Sequence, residues 1–126
     1  MEVPILKQGH FLIASIQGAL TDADLRSLQE KLIREVRRHR SRGVVIDVTA
    51  LDIMDSFAVR ILRTITAMVR LLGAKVVIVG IQPEIAFSMV QLGLTLQGSM
   101  TSLDLEDGLA MLRKAERKNG TSGHGP

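Results

Sequence analysis

The stretch VVIDVTALDIMDSFAVRIL, Val44 to Leu62, decides how the rest of the chain is read. Its first five residues are a continuous apolar run broken only by Asp47, as expected of a strand buried on both faces. From Ser56 the period becomes helical: Ala58, Ile61, Leu62, Ile65, Met68, Val69 and Leu72 fall on one stripe. Arg60, Arg63 and Arg70 lie outside it. A buried strand running through a short turn into an amphipathic helix marks an α/β layer structure. The turn itself carries Asp47, Asp52, Asp55 and Ser56, more charge than chain reversal alone requires.

The same grammar extends in both directions. Upstream, VPILK (3–7) and FLIASIQ (11–17) are short apolar runs split by Gln8-Gly9-His10, a hairpin signal. The segment 20–43 then reads as a helix, with Thr21 as N-cap and Asp22 and Asp24 in its first turn. Leu25, Leu28, Leu32 and Val36 recur at helical spacing, Glu30 and Arg34 form a favourable pair, and Gly43 supplies the stop. Downstream of Gly73, AKVVIVGI is a second buried strand. Pro83 opens a short helix closed by Gly93, and a weaker strand falls within 94–103. Residues 104–118 form a last helix. The apolar-free tail, 119–126, is expected to be disordered. The prediction is one domain over residues 1–118, a central mixed sheet with about four helices packed against it.

Composition limits the function classes. The 126 residues fit a single domain that buries roughly two-thirds of its unfolded surface. Cysteine is absent, which removes disulfides and thiolate chemistry and suits a reducing compartment. The longest apolar run, VVIVGI at 76–81, is too short for a membrane span. The N-terminus lacks the basic-then-apolar pattern of a signal peptide, so a cytoplasmic protein is expected. The net charge is +3, with basic residues concentrated at 34–43, including Arg37, Arg38, Arg40 and Arg42. Such a cluster suits phosphates or a partner surface, but it equally suits the negative end of a helix dipole. With no Trp or Tyr there is little to stack bases on, so no nucleic-acid partner is expected.

The acidic turn admits several chemistries. Two carboxylates can share acid–base work only if their environments differ, and a nucleophilic serine needs a base. His10 in a turn, His39 in the basic helix end and His124 in the tail form no evident triad with Ser56. Phosphate-cradling glycine motifs are missing, and the Asp spacing is not that of a calcium loop. A receiver-type phosphoacceptor would need an acidic pair after the first strands, where Lys7 and Gln17 stand instead. No catalytic residue, metal or cofactor is therefore expected. Ser56 is left either as half of an ordinary Asp-Ser helix cap or as a substrate for modification, exposed where free backbone N–H groups meet a phosphate. On the residues alone the cap is the plainer account.

The order of elements, the DIMDSF turn and the GIQP junction at 80–83 together resemble the STAS family, the fold of bacterial anti-sigma-factor antagonists. The resemblance covers about residues 3–117. Family members place a strand ending near an Asp, here Asp47, before a loop and an Asp-Ser helix head, here Asp55-Ser56. Free antagonists usually continue with Ser or Thr and then Gly, whereas Phe57 and Ala58 follow here. In this the chain is similar to the small single-domain scaffold members found in stressosomes.

The resemblance implies a non-enzymatic scaffold that joins larger STAS sensor paralogues in a homo- and hetero-oligomeric assembly. It implies sequestration of a switch serine/threonine kinase, its release on phosphorylation of Ser56, and reset by a serine phosphatase. Asp55, Asp52, Asp47 and Phe57 would support the phosphorylation site or the partner contact. The alternatives are a free anti-sigma-factor antagonist and a generic STAS ligand-binding module.

Overall fold

The computed structural model describes the backbone of residues 2–123 and the side chains of residues 2–118. Strands β1 (Ile5–Gln8) and β2 (Phe11–Ser15) form an antiparallel hairpin. After them come α1 (Asp22–His39), β3 (Gly43–Asp47), α2 (Ser56–Leu71), β4 (Lys75–Val79), α3 (Pro83–Gln91), β5 (Met100–Ser102) and α4 (Leu105–Gly123). The sheet order is β1-β2-β3-β4-β5, and every pair after the hairpin is parallel. This is the expected mixed α/β architecture with four helices. The expected tail, residues 119–126, lies largely outside the described residues: α4 is traced to Gly123, and no side chain past Lys118 is described.

Strand side chains alternate between two cores. Leu12, Ala14, Val44, Ile46, Val76 and Ile78 face α1, α2 and α3, while Phe11, Ile13, Val45, Val77 and Val79 face Leu109 and Leu112 of α4. This two-sided burial is why VVIDV and KVVIV read as unbroken apolar runs. Consecutive parallel strands joined by crossovers of one hand put α1, α2 and α3 on one face. Helix α4 follows the last strand and closes the other.

Three local expectations change. Helix α1 does not run to Gly43: it ends at His39, with Arg40 in the left-handed conformation at φ 48° and the Ser41 N–H donating to the Val36 carbonyl at 3.0 Å. Gly43 instead opens β3, where an added Cβ would lie 2.8 Å from Leu112 Cδ2. The glycine lets α4 approach the sheet. On α2 the buried stripe is Val59, Ile61, Leu62, Ile65, Thr66 and Val69, so Ala58 and Met68 sit at its margin and Leu72 is exposed. The stripe is rotated because α2 packs on the sheet and α1 together. Thr66 is tolerated there because its hydroxyl donates to the Leu62 carbonyl at 2.9 Å. Among the described residues the charged side-chain contact within α1 is Glu35 with His39, 2.9 Å, in place of the anticipated Glu30–Arg34.

Thr21 caps α1 as expected, through a capping box with Asp24: the Asp24 N–H donates to Thr21 Oγ1 at 3.1 Å, and the Thr21 N–H donates to Asp24 Oδ2 at 3.0 Å. Among the described residues no helix is long and apolar enough to cross a membrane.

Candidate functional site

The acidic turn lies at the end of the sheet where parallel strands stop and helices begin. Asp47 is the last residue of β3, in register with Ser15 of β2 and Val79 of β4. Its carboxylate turns back on the chain. Asp47 Oδ1 accepts from the Thr49 N–H at 2.9 Å and from the Thr49 hydroxyl at 2.6 Å, an Asx turn that bends the backbone out of the sheet. The Leu51 N–H then donates to the Val48 carbonyl at 2.9 Å, and the Leu51 and Met54 side chains are buried in the core. Between those two anchors Asp52 and Ile53 face solvent.

Asp55 is the N-cap of α2, with extended backbone and Oδ1 accepting from the Ala58 N–H at 2.8 Å. Ser56 follows as the first helical residue. It is exposed, and its hydroxyl makes no hydrogen bond among the described residues. Phe57 turns its ring toward the core, half-buried, with the Arg26 guanidinium 5.4 Å from the ring centroid. The five residues therefore do different things. Asp47 shapes the loop, Asp55 caps the helix, Phe57 fixes the helix against α1, and Ser56 and Asp52 are left to solvent. Among the described residues no three His, Cys, Asp or Glu side chains gather closely enough to hold a metal ion.

The structure adds three residues to this site. The Thr49 carbonyl accepts from Gln82 Nε2 at 2.8 Å, tying the β3–α2 turn to the head of α3. Beneath it, Gly80 has φ +79°, and an added Cβ would fall on the Thr49 hydroxyl and 2.9 Å from Thr49 Cβ. The two loops thus pack backbone to side chain with no spare room. Thr two residues after Asp was a legible Asx-turn signal, and Gly80 and Gln82 belong to the GIQP junction already singled out. Their meeting with Thr49 is a tertiary fact that spacing alone does not contain.

A mixed sheet with three helices on one face and one on the other, and an Asp-capped serine at the head of its second helix, defines a STAS domain. The chain belongs to that family, whose sequence profile matches residues 2–105. It is similar to the RsbT co-antagonist protein RsbRA of Bacillus subtilis, 30% identical over 92% of this chain. The chain spans 42% of that relative's length. Among solved structures, a serine-to-glutamate variant of RsbS from Moorella thermoacetica superposes with a TM-score of 0.81 at 34% identity, covering 91% of this chain and 97% of that one. A chain from a structure of the stressosome, described as a signal integration and transduction hub, gives 0.76 at 34% identity over 90% and 99%.

Proposed function

We propose that this chain is a non-enzymatic, cytoplasmic scaffold of a bacterial stress-signalling assembly, and that Ser56 is its regulatory phosphorylation site. The observation that carries the reading is the contrast at the head of α2: Asp55 is committed to the cap while the neighbouring hydroxyl is exposed and unbonded. A relative studied with a serine replaced by glutamate, and a similar chain from a stressosome, support it.

In this reading a switch serine/threonine kinase docks on the unmodified turn, supplies its own ATP, and is released once Ser56 is phosphorylated. A serine phosphatase restores the docking state. Larger STAS paralogues with sensor domains, of which RsbRA is a relative, share the assembly. The added phosphate brings about −1.5 to −2 charges. The amides of the first helical turn not taken by Asp55 favour it, while Asp55 and Asp52 oppose it. These opposing terms leave the fold nearly unchanged and place the effect on the docked partner, where an uncompensated charge lowers affinity. Asp47 acts through Thr49, and Asp52 contributes surface charge to the contact.

The test is phosphopeptide mapping after incubation with ATP, the kinase and a sensor paralogue, with Ser56→Ala as control. Modification confined to Ser56, with kinase release that the alanine form fails to show, is the expected result. Release that persists in Ser56→Ala would return Asp55-Ser56 to the role of a helix cap.

A further inference from the structure

At the end of the sheet opposite Ser56, a cleft of about 470 Å³ opens between the C-terminus of α2 and the loop that leads into β5. Arg70 and Lys75 line it, beside Gly98, over an apolar floor of Ala74, Val76 and Met100. That volume falls in the range of small-molecule sites. Both cations are exposed, and neither makes an ion pair or a side-chain hydrogen bond among the described residues. No carboxylate lines the cleft. Glu116 lines a smaller neighbouring cleft with Lys75, and it is held by His10 and Arg42.

Helix electrostatics account for one of the two cations. Arg70 lies in the last turn of α2, where the dipole favours a positive charge. Lys75 instead opens β4, where no helix end calls for it.

The loop across the cleft is shaped around the Arg70 side chain. Gly98 has φ +88°, and an added Cβ would lie 2.8 Å from Arg70 Nη1 and 3.6 Å from Arg70 Cδ. The guanidinium therefore rests on the glycine backbone, in space that any side chain would fill. The flanking turns are fixed as well. The Gly73 N–H donates to the Arg70 carbonyl at 3.0 Å and the Ala74 N–H to the Val69 carbonyl at 3.1 Å, which sets Lys75 beside the helix end. On the other wall the Ser99 N–H and hydroxyl both donate to the Leu96 carbonyl, at 3.2 Å and 2.7 Å. Two cations without a counter-ion, on walls that hydrogen bonds hold in place, are preorganised for an anion.

We propose that this cleft binds a small phosphate monoester: the Arg70 fork and the Lys75 ammonium take the phosphate, and the organic group rests on Ala74, Val76 and Met100. Near pH 7 such a phosphate carries about −1.5 to −2 charges, which matches two cations where a monocarboxylate would leave one unmatched. No aromatic ring lines the cleft, so a nucleobase finds nothing to stack on. The site goes beyond the phosphorylation reading and does not depend on it. Arg70 lies about 21 Å along α2 from Ser56, so a bound ligand leaves the Ser56 turn open.

The test uses the purified full chain without kinase or ATP, so its outcome is separate from that of the phosphorylation reading. Backbone amide shifts are followed by NMR during titration with n-butyl phosphate, at about 0.15 M salt to screen distant charges. Saturable shifts centred on residues 70–76 and 98–100, with a Kd of about 1 mM or tighter, are expected. Arg70→Gln and Lys75→Gln should each stay folded by circular dichroism and weaken binding at least about ten-fold, the loss of one charge-assisted contact. Arg70→Lys keeps the charge without the fork and should fall between Arg70→Gln and wild type. Arg37→Gln/Arg40→Gln removes cations from the same end but outside the cleft, and should bind as wild type does. The absence of saturable shifts below about 10 mM overturns the proposal, as does binding that survives both Arg70→Gln and Lys75→Gln. An equal loss in Arg37→Gln/Arg40→Gln overturns it too, since the general positive field would then suffice. Inorganic phosphate that binds as tightly as butyl phosphate would overturn the role of the apolar floor. AMP that binds more than about ten-fold tighter than butyl phosphate would overturn the ligand class and assign the cleft to nucleotides.

Discussion

Replacing Gly80 by alanine tests whether the Ser56 turn is held from below. At φ +79° the new Cβ alone costs about 1–2 kcal/mol, the penalty of left-handed backbone for an L-residue. It also falls on the Thr49 hydroxyl, which then leaves its position on Asp47 Oδ1. That bond is solvent-exposed, so water replaces it in part, and its loss contributes about 0.5–1.5 kcal/mol. The expected destabilisation is about 1.5–3.5 kcal/mol, within the stability of an ordinary domain, so the variant still folds. Urea unfolding would show a lower midpoint with an unchanged slope. The mechanism has a sharper signature in a double-mutant cycle. In a Thr49→Gly background the obstructing side chain is gone, and Gly80→Ala should retain only the backbone penalty. The coupling is therefore about 0.5–1.5 kcal/mol. A Gly80→Ala variant within about 0.5 kcal/mol of wild type would refute the packing argument, a threshold set by ordinary surface substitutions. An equal penalty in both backgrounds would refute the role of Thr49.

Further predictions concern the helix head and the core. Asp55→Ala removes the α2 N-cap and should lower stability by about 1 kcal/mol in urea melts, while Asp55→Asn should recover most of it. Ser56→Glu places a charge at the first helical position, where the dipole favours it by about 0.3–1 kcal/mol, so its unfolding midpoint should equal or slightly exceed wild type. In pull-down assays the same variant should fail to retain the kinase that Ser56→Ala retains. Leu32→Ala in the fully buried centre of α1 should cost about 2–5 kcal/mol, measured by the same melts, with a larger loss the less the site collapses.

The fold was legible because its signals are local. The alternation of buried strands and amphipathic helices, the Thr21 cap and Pro83 at the start of α3 are all written within a few residues of where they act. The misreadings occurred where packing decides. Gly43 looked like a helix stop because glycine commonly ends helices, yet its place is set by Leu112, distant in sequence. The α2 stripe shifted toward Val59 and Thr66 because α1 and the sheet both press on it. At the candidate site the individual residues were legible, and their division of labour was not. Asp47, Asp52 and Asp55 read as one acidic cluster, whereas the structure ties Asp47 to Thr49, commits Asp55 to the helix cap, leaves Asp52 to solvent, and recruits Thr49, Gly80 and Gln82 from two loops.

That division of labour bears on how a phosphate at Ser56 would act. A switch that worked by reshaping the turn would need a loop with alternative arrangements of similar energy. Here the turn is pinned on both sides of Ser56: by the Asp47–Thr49–Gln82 links and the buried Leu51 and Met54 before it, and by the Asp55 cap and the half-buried Phe57 at the helix head. Rearranging it would break several of these contacts, each worth about 0.5–1.5 kcal/mol for the hydrogen bonds and more for the buried side chains. The helix dipole returns only about 0.3–1 kcal/mol to an added charge, too little to drive that change. A phosphate there would therefore alter the electrostatic surface and leave its shape in place. On the proposed scaffold reading, a rigid frame around an unengaged hydroxyl would let Ser56 change its charge without reshaping the turn.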